Sequence, residues 1–222
     1  MAGGRSSFSS EVGSAPRNQS MKHSAPIEFW FEFSSPYAFF AAPEIVDVAR
    51  RHDRPVVWRP FLLGALLKVT GMSPLPGQKL RGAYALHDWQ RLARLHKVRF
   101  SLPTVFPLNS LAPARMTYAV ESFEPDKAGP LARHFLAALF ERGADIADVS
   151  IAARLGAELG HDATMLSNAA ADHKWKDVLR ARTDEAIERG IFGSPFVVVD
   201  GEGFWGSDRL AMVDRWLSCG GW

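Results

Sequence analysis

Hydrophobic and polar positions alternate between Ile27 and Phe33. Ile27, Phe29, Phe31 and Phe33 fall on one side, and Glu28, Trp30 and Glu32 on the other. Period-two alternation with aromatic enrichment predicts a strand over 27–33. The alternation stops at Ser34-Ser35-Pro36. Proline lacks an N–H and has its φ fixed near the helical value, so Pro36 suits the first helical position and Ser35 the N-cap. Apolar spacing then predicts a helix over 36–51, kinked or split at Pro43. The stretch "RPVVWRPF" at 54–61 reads as a second strand, which makes a parallel βαβ unit.

From 62 to about 190 the pattern is helical almost throughout. Leu131, Phe135 and Leu139 recur every fourth position, as do Ile151, Leu155 and Leu159, which marks buried helix faces. Asp148 and Gly160 are a start and a stop signal, and Gly190 suits the residue after a helix end. Strand patterning returns in "PFVVVDGEGFWG", where Asp200-Gly201 predicts a hairpin turn. "SDRLAMVDRWL" follows as an amphipathic helix with Ser207 or Asp208 as its cap. The order βαβ, helical block, ββα predicts an α/β chain: a thioredoxin-like domain (27–61 and 190–218) with a large all-helical insertion (62–189).

Composition narrows the function. The 222 residues are 47% hydrophobic and 23% charged, which is ordinary for a globular chain. The net charge of +2 comes from Arg5, Arg17 and Lys22 against Glu11. The rest is balanced and lacks the basic footprint of a nucleic-acid binder. No apolar run approaches the ~20 residues of a membrane-spanning helix. The first 26 residues are rich in serine and glycine and read as a disordered tail. Cys219 is the sole cysteine, so no Cys-x-x-Cys pair or intrachain disulfide exists, which fits a reducing, cytoplasmic setting. The seven histidines show no metal-ligand spacing.

Four stretches carry candidate chemistry, each with a plainer reading beside it. Ser34-Ser35-Pro36-Tyr37 is a helix cap, or a hydroxyl at a helix N-terminus where an anion such as a thiolate is favoured. "GIFGSPF" is an ordinary loop, or a close approach with a cis Ser194–Pro195 bond and free backbone for a peptide-like ligand. "FWGSDRL" caps a helix, or presents Ser207 and Asp208 to a ligand. Tyr84, Asp88 and Arg91 share a helix face, and Asn109 and Arg115 follow a proline-rich loop. These are solvated positions or a substrate side.

Taken in order, "FEFSSPYAFFAAP", "WRPFLLGALLKVTG", "YALHDWQRLA", "FPLNSLAPAR", "GIFGSPF" and "FWGSDRL" resemble the 2-hydroxychromene-2-carboxylate isomerases. These group with kappa-class glutathione transferases and the wider DsbA-like proteins. The resemblance spans 27–217. It implies a thioredoxin domain with a helical insertion, glutathione as cofactor and a homodimer. It gives the catalytic role to Ser35, the cis-proline to Pro195, the cysteinyl-holding backbone to Ser194, and the glutamyl-holding loop to Ser207 and Asp208 beside Arg209. Tyr84, Asp88, Asn109 and Arg115 fall on the substrate side, with Arg115 able to hold a carboxylate in a bidentate pair. Two positions depart from the family pattern: Met72 after Gly71, and Arg81 three before Tyr84, with Lys79 nearby. The implied reaction is isomerisation of an unsaturated aromatic keto acid by reversible thiolate addition. Glutathione transfer, peroxide reduction and a non-catalytic binding module are the alternatives.

Overall fold

The computed structural model describes residues 25–222. The expected tail therefore lies outside the described residues, apart from its last two positions. Strand β1 (Ile27–Phe31) pairs in parallel with β2 (Val56–Pro60) and antiparallel with β3 (Phe196–Val199), which pairs antiparallel with β4 (Glu202–Trp205). The order β2-β1-β3-β4 is that of a thioredoxin-like sheet. Asp200 and Gly201 both take positive φ, 52° and 88°, as a two-residue hairpin of the favoured twist requires. β1 ends two residues before the predicted 33. There the Glu32 N–H turns to Ser194 Oγ (2.9 Å) and the Glu32 carbonyl accepts from Ser35 N–H (3.0 Å), so the ladder gives way to a turn.

Helix α1 (Pro36–Arg51) runs unbroken through Pro43. This corrects the expected split. Pro43 lies on the exposed face, where a carbonyl left without its amide partner can bond to water instead. α1 packs Ile45, Val48 and its phenylalanines against Ile27, Phe29 and Phe31 of β1. Each such fully buried side chain contributes about 1.5–3 kcal/mol.

Six helices lie between β2 and the last helix before β3: α2 (Leu63–Thr70), α3 (Arg81–His96), α4 (Leu111–Phe123), α5 (Pro125–Arg142), α6 (Val149–Ala157) and α7 (Ala163–Ala171). They share the core of the sheet. Phe39 and Phe40 of α1 lie against Phe100 in the α3–α4 loop, and Phe100 stacks on Phe140 of α5 at 5.6 Å. α5 also comes close over β2, because a Cβ on Gly129 would lie 2.3 Å from the Trp58 indole nitrogen.

The second face of the sheet is covered too. Trp30 and Val198 pack with Leu66 of α2 and Ala186 of α8 (His173–Glu188). The "polar" half of the β1 alternation is therefore mostly interior. Trp30 and Glu32 are buried, and Glu28 is held by Arg189, whose guanidinium lies over Trp30. α9 (Leu210–Cys219) closes the chain against α1. No helix among the described residues is long and apolar enough to cross a membrane.

Candidate active site

A cleft of about 1570 Å³ opens between the end of the sheet and helices α2 and α3. Its floor is the β1–α1 turn. Ser35 is the α1 N-cap, with φ −93° and ψ 109°. Its Oγ accepts from Ala38 N–H (3.2 Å) and donates to the Ser194 carbonyl (3.0 Å). The cap and the site are thus one residue: the same hydroxyl starts the helix and reaches across to the loop before β3. Ser34 is committed elsewhere. Its hydroxyl donates to the Leu108 carbonyl (3.1 Å) and accepts from Leu108 N–H (3.2 Å), which pins the loop before α4 to the floor.

The Ser194–Pro195 bond is cis and faces Ser35, as the sequence suggests; Phe106–Pro107 is cis as well. Pro195 O accepts from Gly206 N–H (3.0 Å), so the turn 207–209 is held beside Ser194. Ser207 and Asp208 line the cleft, but neither caps a helix. They form a short 3₁₀ turn without a side-chain cap bond, and α9 begins at Leu210 with none either. This corrects the capping expectation. Gly206 holds φ at 114°, and the Asp208 carboxylate folds back over it, since a Cβ there would lie 2.5 Å from Asp208 Oδ1; the exposed carboxylate pairs with Arg209 at 3.3 Å.

On the opposite wall, Tyr84, Asp88 and Asn109 line the cleft. Asp88 accepts from the Tyr37 hydroxyl (3.0 Å) and from Arg91 (2.8 Å), and Arg91 lies over the Tyr84 ring. Asn109 accepts from Leu111 N–H (3.1 Å) at the start of α4. Arg115 is not in the cleft. The register of α4 turns it to α7, where it donates to the Ala170 carbonyl (2.6 Å). The cations lining the cleft are Lys68, Arg81 and Arg209. Met72 and Arg81, the two departures from the family pattern, both line it.

Three lining residues were given no role from the sequence. Trp205 of β4 stacks against Phe192 at 4.8 Å beside Ser194. Gly193 makes this wall possible, since a Cβ there would lie 2.2 Å from the Trp205 indole nitrogen. Tyr37 has its phenol pushed above the usual range by burial and then by Asp88, so it stays a hydrogen-bond donor. Glu32 is buried, and burial raises its carboxyl to about 7 against the hydrogen bonds of Ser110, Ser34 and Phe33 that oppose the rise. The signal for Glu32 was an acid three residues before the serine at a strand end; the alternation grouped it only with Glu28 and Trp30.

Residues 26–218 match the DSBA-like thioredoxin domain. The chain belongs to this family. Within it, the chain is 27% identical over 201 residues to a 2-hydroxychromene-2-carboxylate isomerase of Sphingobium xenophagum, covering 86% of this chain and 97% of the other. It is 28% identical over 208 residues to glutathione S-transferase kappa 2 of Caenorhabditis elegans, covering 86% and 91%. A solved 2-hydroxychromene-2-carboxylate isomerase superposes with a TM-score of 0.79 at 23% identity, over 86% of this chain and 94% of the other.

Proposed function

We propose that the chain is a glutathione-dependent isomerase acting on an unsaturated aromatic keto acid of the 2-hydroxychromene-2-carboxylate type. The observation that carries this reading is the Ser35–Ser194 pair. A serine, not a cysteine, occupies the α1 N-terminus opposite a cis-proline loop, in a cleft larger than the roughly 300–1,000 Å³ of a single-ligand pocket. The names of the isomerase and kappa-class relatives support it.

The lining residues fit glutathione. A charged tripeptide finds Asp208 for its ammonium, Arg209 and Ser207 for carboxylate, and the backbone beside Pro195 for its cysteinyl part. Glutathione, when bound, supplies a thiol nucleophile that adds reversibly to a conjugated alkene. Ser35 accepts one hydrogen bond from Ala38 and has a single proton to give. In place of the Ser194 carbonyl it can donate that proton to an anion. The first-turn N–H groups of α1 favour negative charge at the same spot. Trp205 and Phe192 on one side, and Trp89 and Phe106 on the other, form walls for an aromatic body. Lys68 and Arg81 take the carboxylate role that the sequence suggested for Arg115. The site carries no cysteine, which leaves the protein itself no sulfur for thiol–disulfide exchange there.

The kappa relative, at 28% identity, favours a second reading: glutathione transfer on the same site. The two separate in one assay with glutathione well below substrate. Isomerisation runs for many turnovers with glutathione recovered, whereas transfer stops when glutathione is exhausted. Product formation at the same rate without glutathione would overturn both.

A further inference from the structure

Three carboxylates line the cleft, and two are paired: Asp88 with Arg91 and Tyr37, and Asp208 with Arg209. The third, Glu32, is only 5% exposed. It forms no ion pair among the described residues, and the largest influences on its carboxyl are burial and hydrogen bonds. Its main chain lies directly beneath the Ser35–Ser194 pair. Its N–H donates to Ser194 Oγ (2.9 Å), its carbonyl accepts from Ser35 N–H (3.0 Å), and its Oε2 accepts from Ser34 N–H (2.7 Å). The Ser110 hydroxyl bonds to the same carboxyl. The segments packed against it, namely the β1–α1 turn, the 193–195 loop and the start of α4, present serines to it. The titratable groups elsewhere in the cleft are Tyr37 on α1, Lys68 on α2, Arg81, Tyr84 and Asp88 on α3, and Asp208 and Arg209 before α9. A desolvated carboxylate with only dipoles around it takes up a proton readily.

We propose that Glu32 is the internal acceptor of the proton that leaves a thiol seated at Ser35. The inference rests on the glutathione reading of the cleft. The S–H bond breaks with its electron pair left on sulfur, and an O–H bond forms on the Glu32 carboxyl. Atoms and charge balance within the cleft, and no oxidant or external base enters. The negative charge moves from a buried carboxylate to the end of α1, where the first-turn N–H groups and the Ser35 hydroxyl receive it. The proton stays available to return to sulfur when the thiol departs.

The test counts protons. Glutathione is titrated into the protein by calorimetry in buffers of different ionisation enthalpy. S-methylglutathione, which has no thiol proton, sets the baseline. Thiolate absorbance in the ultraviolet reports ionisation of the bound thiol. In the wild type the thiolate forms at both ends of the pH range. About one proton reaches the buffer at about pH 5.5, where Glu32 is already protonated, and close to none at about pH 8, where Glu32 is free to accept. In Glu32→Gln the pH dependence disappears: either about one proton is released at both values, or the thiolate absorbance is lost. Turnover of Glu32→Gln falls about 100-fold at neutral pH. A wild type that releases the same number of protons at both values, matched by Glu32→Gln, overturns the proposal while leaving the cofactor reading intact. No binding of glutathione to the wild type removes the cofactor reading, and this proposal with it. The wild-type measurement decides the matter even if Glu32→Gln folds poorly.

Discussion

Ser35 and Ser34 are neighbours with different employment. Ser35 Oγ joins Ala38 N–H to the Ser194 carbonyl, while Ser34 Oγ holds Leu108. Replacing Ser35 by alanine removes a cap worth about 1 kcal/mol and the donor aimed at the ligand, a loss of the kind that lowers turnover about 10²–10³-fold. Ser34→Ala loosens the loop before α4 and leaves that donor in place. Steady-state rates of the two variants should therefore differ by at least about tenfold, with Ser35→Ala the slower; equal rates would remove Ser35 from the chemistry. Glu32 offers a second residue-scale prediction, on stability alone. Its folded-state carboxyl titrates at about 7 against an ordinary 4.5. Folding thus favours its protonated form. The stability this gives is fully present below the ordinary value and is lost as pH rises through about 7. Glu32→Gln keeps an acceptor oxygen and has no charge to desolvate. Denaturant unfolding should find it equal to the wild type near pH 4 and more stable near pH 8.5, by up to ~3 kcal/mol. A pH-independent difference would show that Glu32 does not titrate in the folded cleft.

At the scale of elements, the short 207–209 turn separates binding from architecture. Neither Ser207 nor Asp208 caps a helix, and the Asp208–Arg209 pair is exposed on both sides, so it contributes little to stability. Asp208→Asn should leave the melting temperature nearly unchanged. Calorimetry should show glutathione affinity falling by about one to two powers of ten, the loss of a charged hydrogen bond. An unchanged affinity with a lowered melting temperature would make Asp208 structural. The elements themselves were legible where local chemistry decides them. β1 and α1 follow from the Ile27–Phe33 alternation and Ser35-Pro36, the hairpin from Asp200-Gly201, and the α6 start from Asp148, which caps two N–H groups. Facing was not legible. Periodicity tells which residues share a side, not what that side meets. Arg115 sits on a helix that follows the cleft loop, yet the packing of α4 on α7 turns it away. Glu32 shares a side with Glu28 and Trp30 in the alternation, yet the turn into α1 and the Ser194 loop enclose it and bury it. Pro43 reads as a breaker, yet its exposed position lets α1 continue.

At the scale of the molecule, the cleft exists because two remote segments meet under a helical roof. Ser35 and Ser194 are 159 positions apart. The helices between them return the chain to the edge of β1 and supply Lys68, Arg81, Tyr84 and Asp88 to the opposite wall. Because these helices share the aromatic core of the sheet, the walls are held by the same packing that holds the floor. The resemblance of the ordered motifs foresaw this arrangement in outline; the cations that line the cleft depend on side-chain direction and required the structure. The central claim is that Ser35, against the cis-Pro195 loop, receives the sulfur of glutathione. A crystal structure of the protein with glutathione tests it most directly. The account predicts the sulfur within hydrogen-bond distance of Ser35 Oγ, the cysteinyl backbone paired beside Ser194, and the glutamyl group at Ser207 and Asp208. Glutathione bound with its sulfur away from Ser35, or outside the cleft, would contradict it.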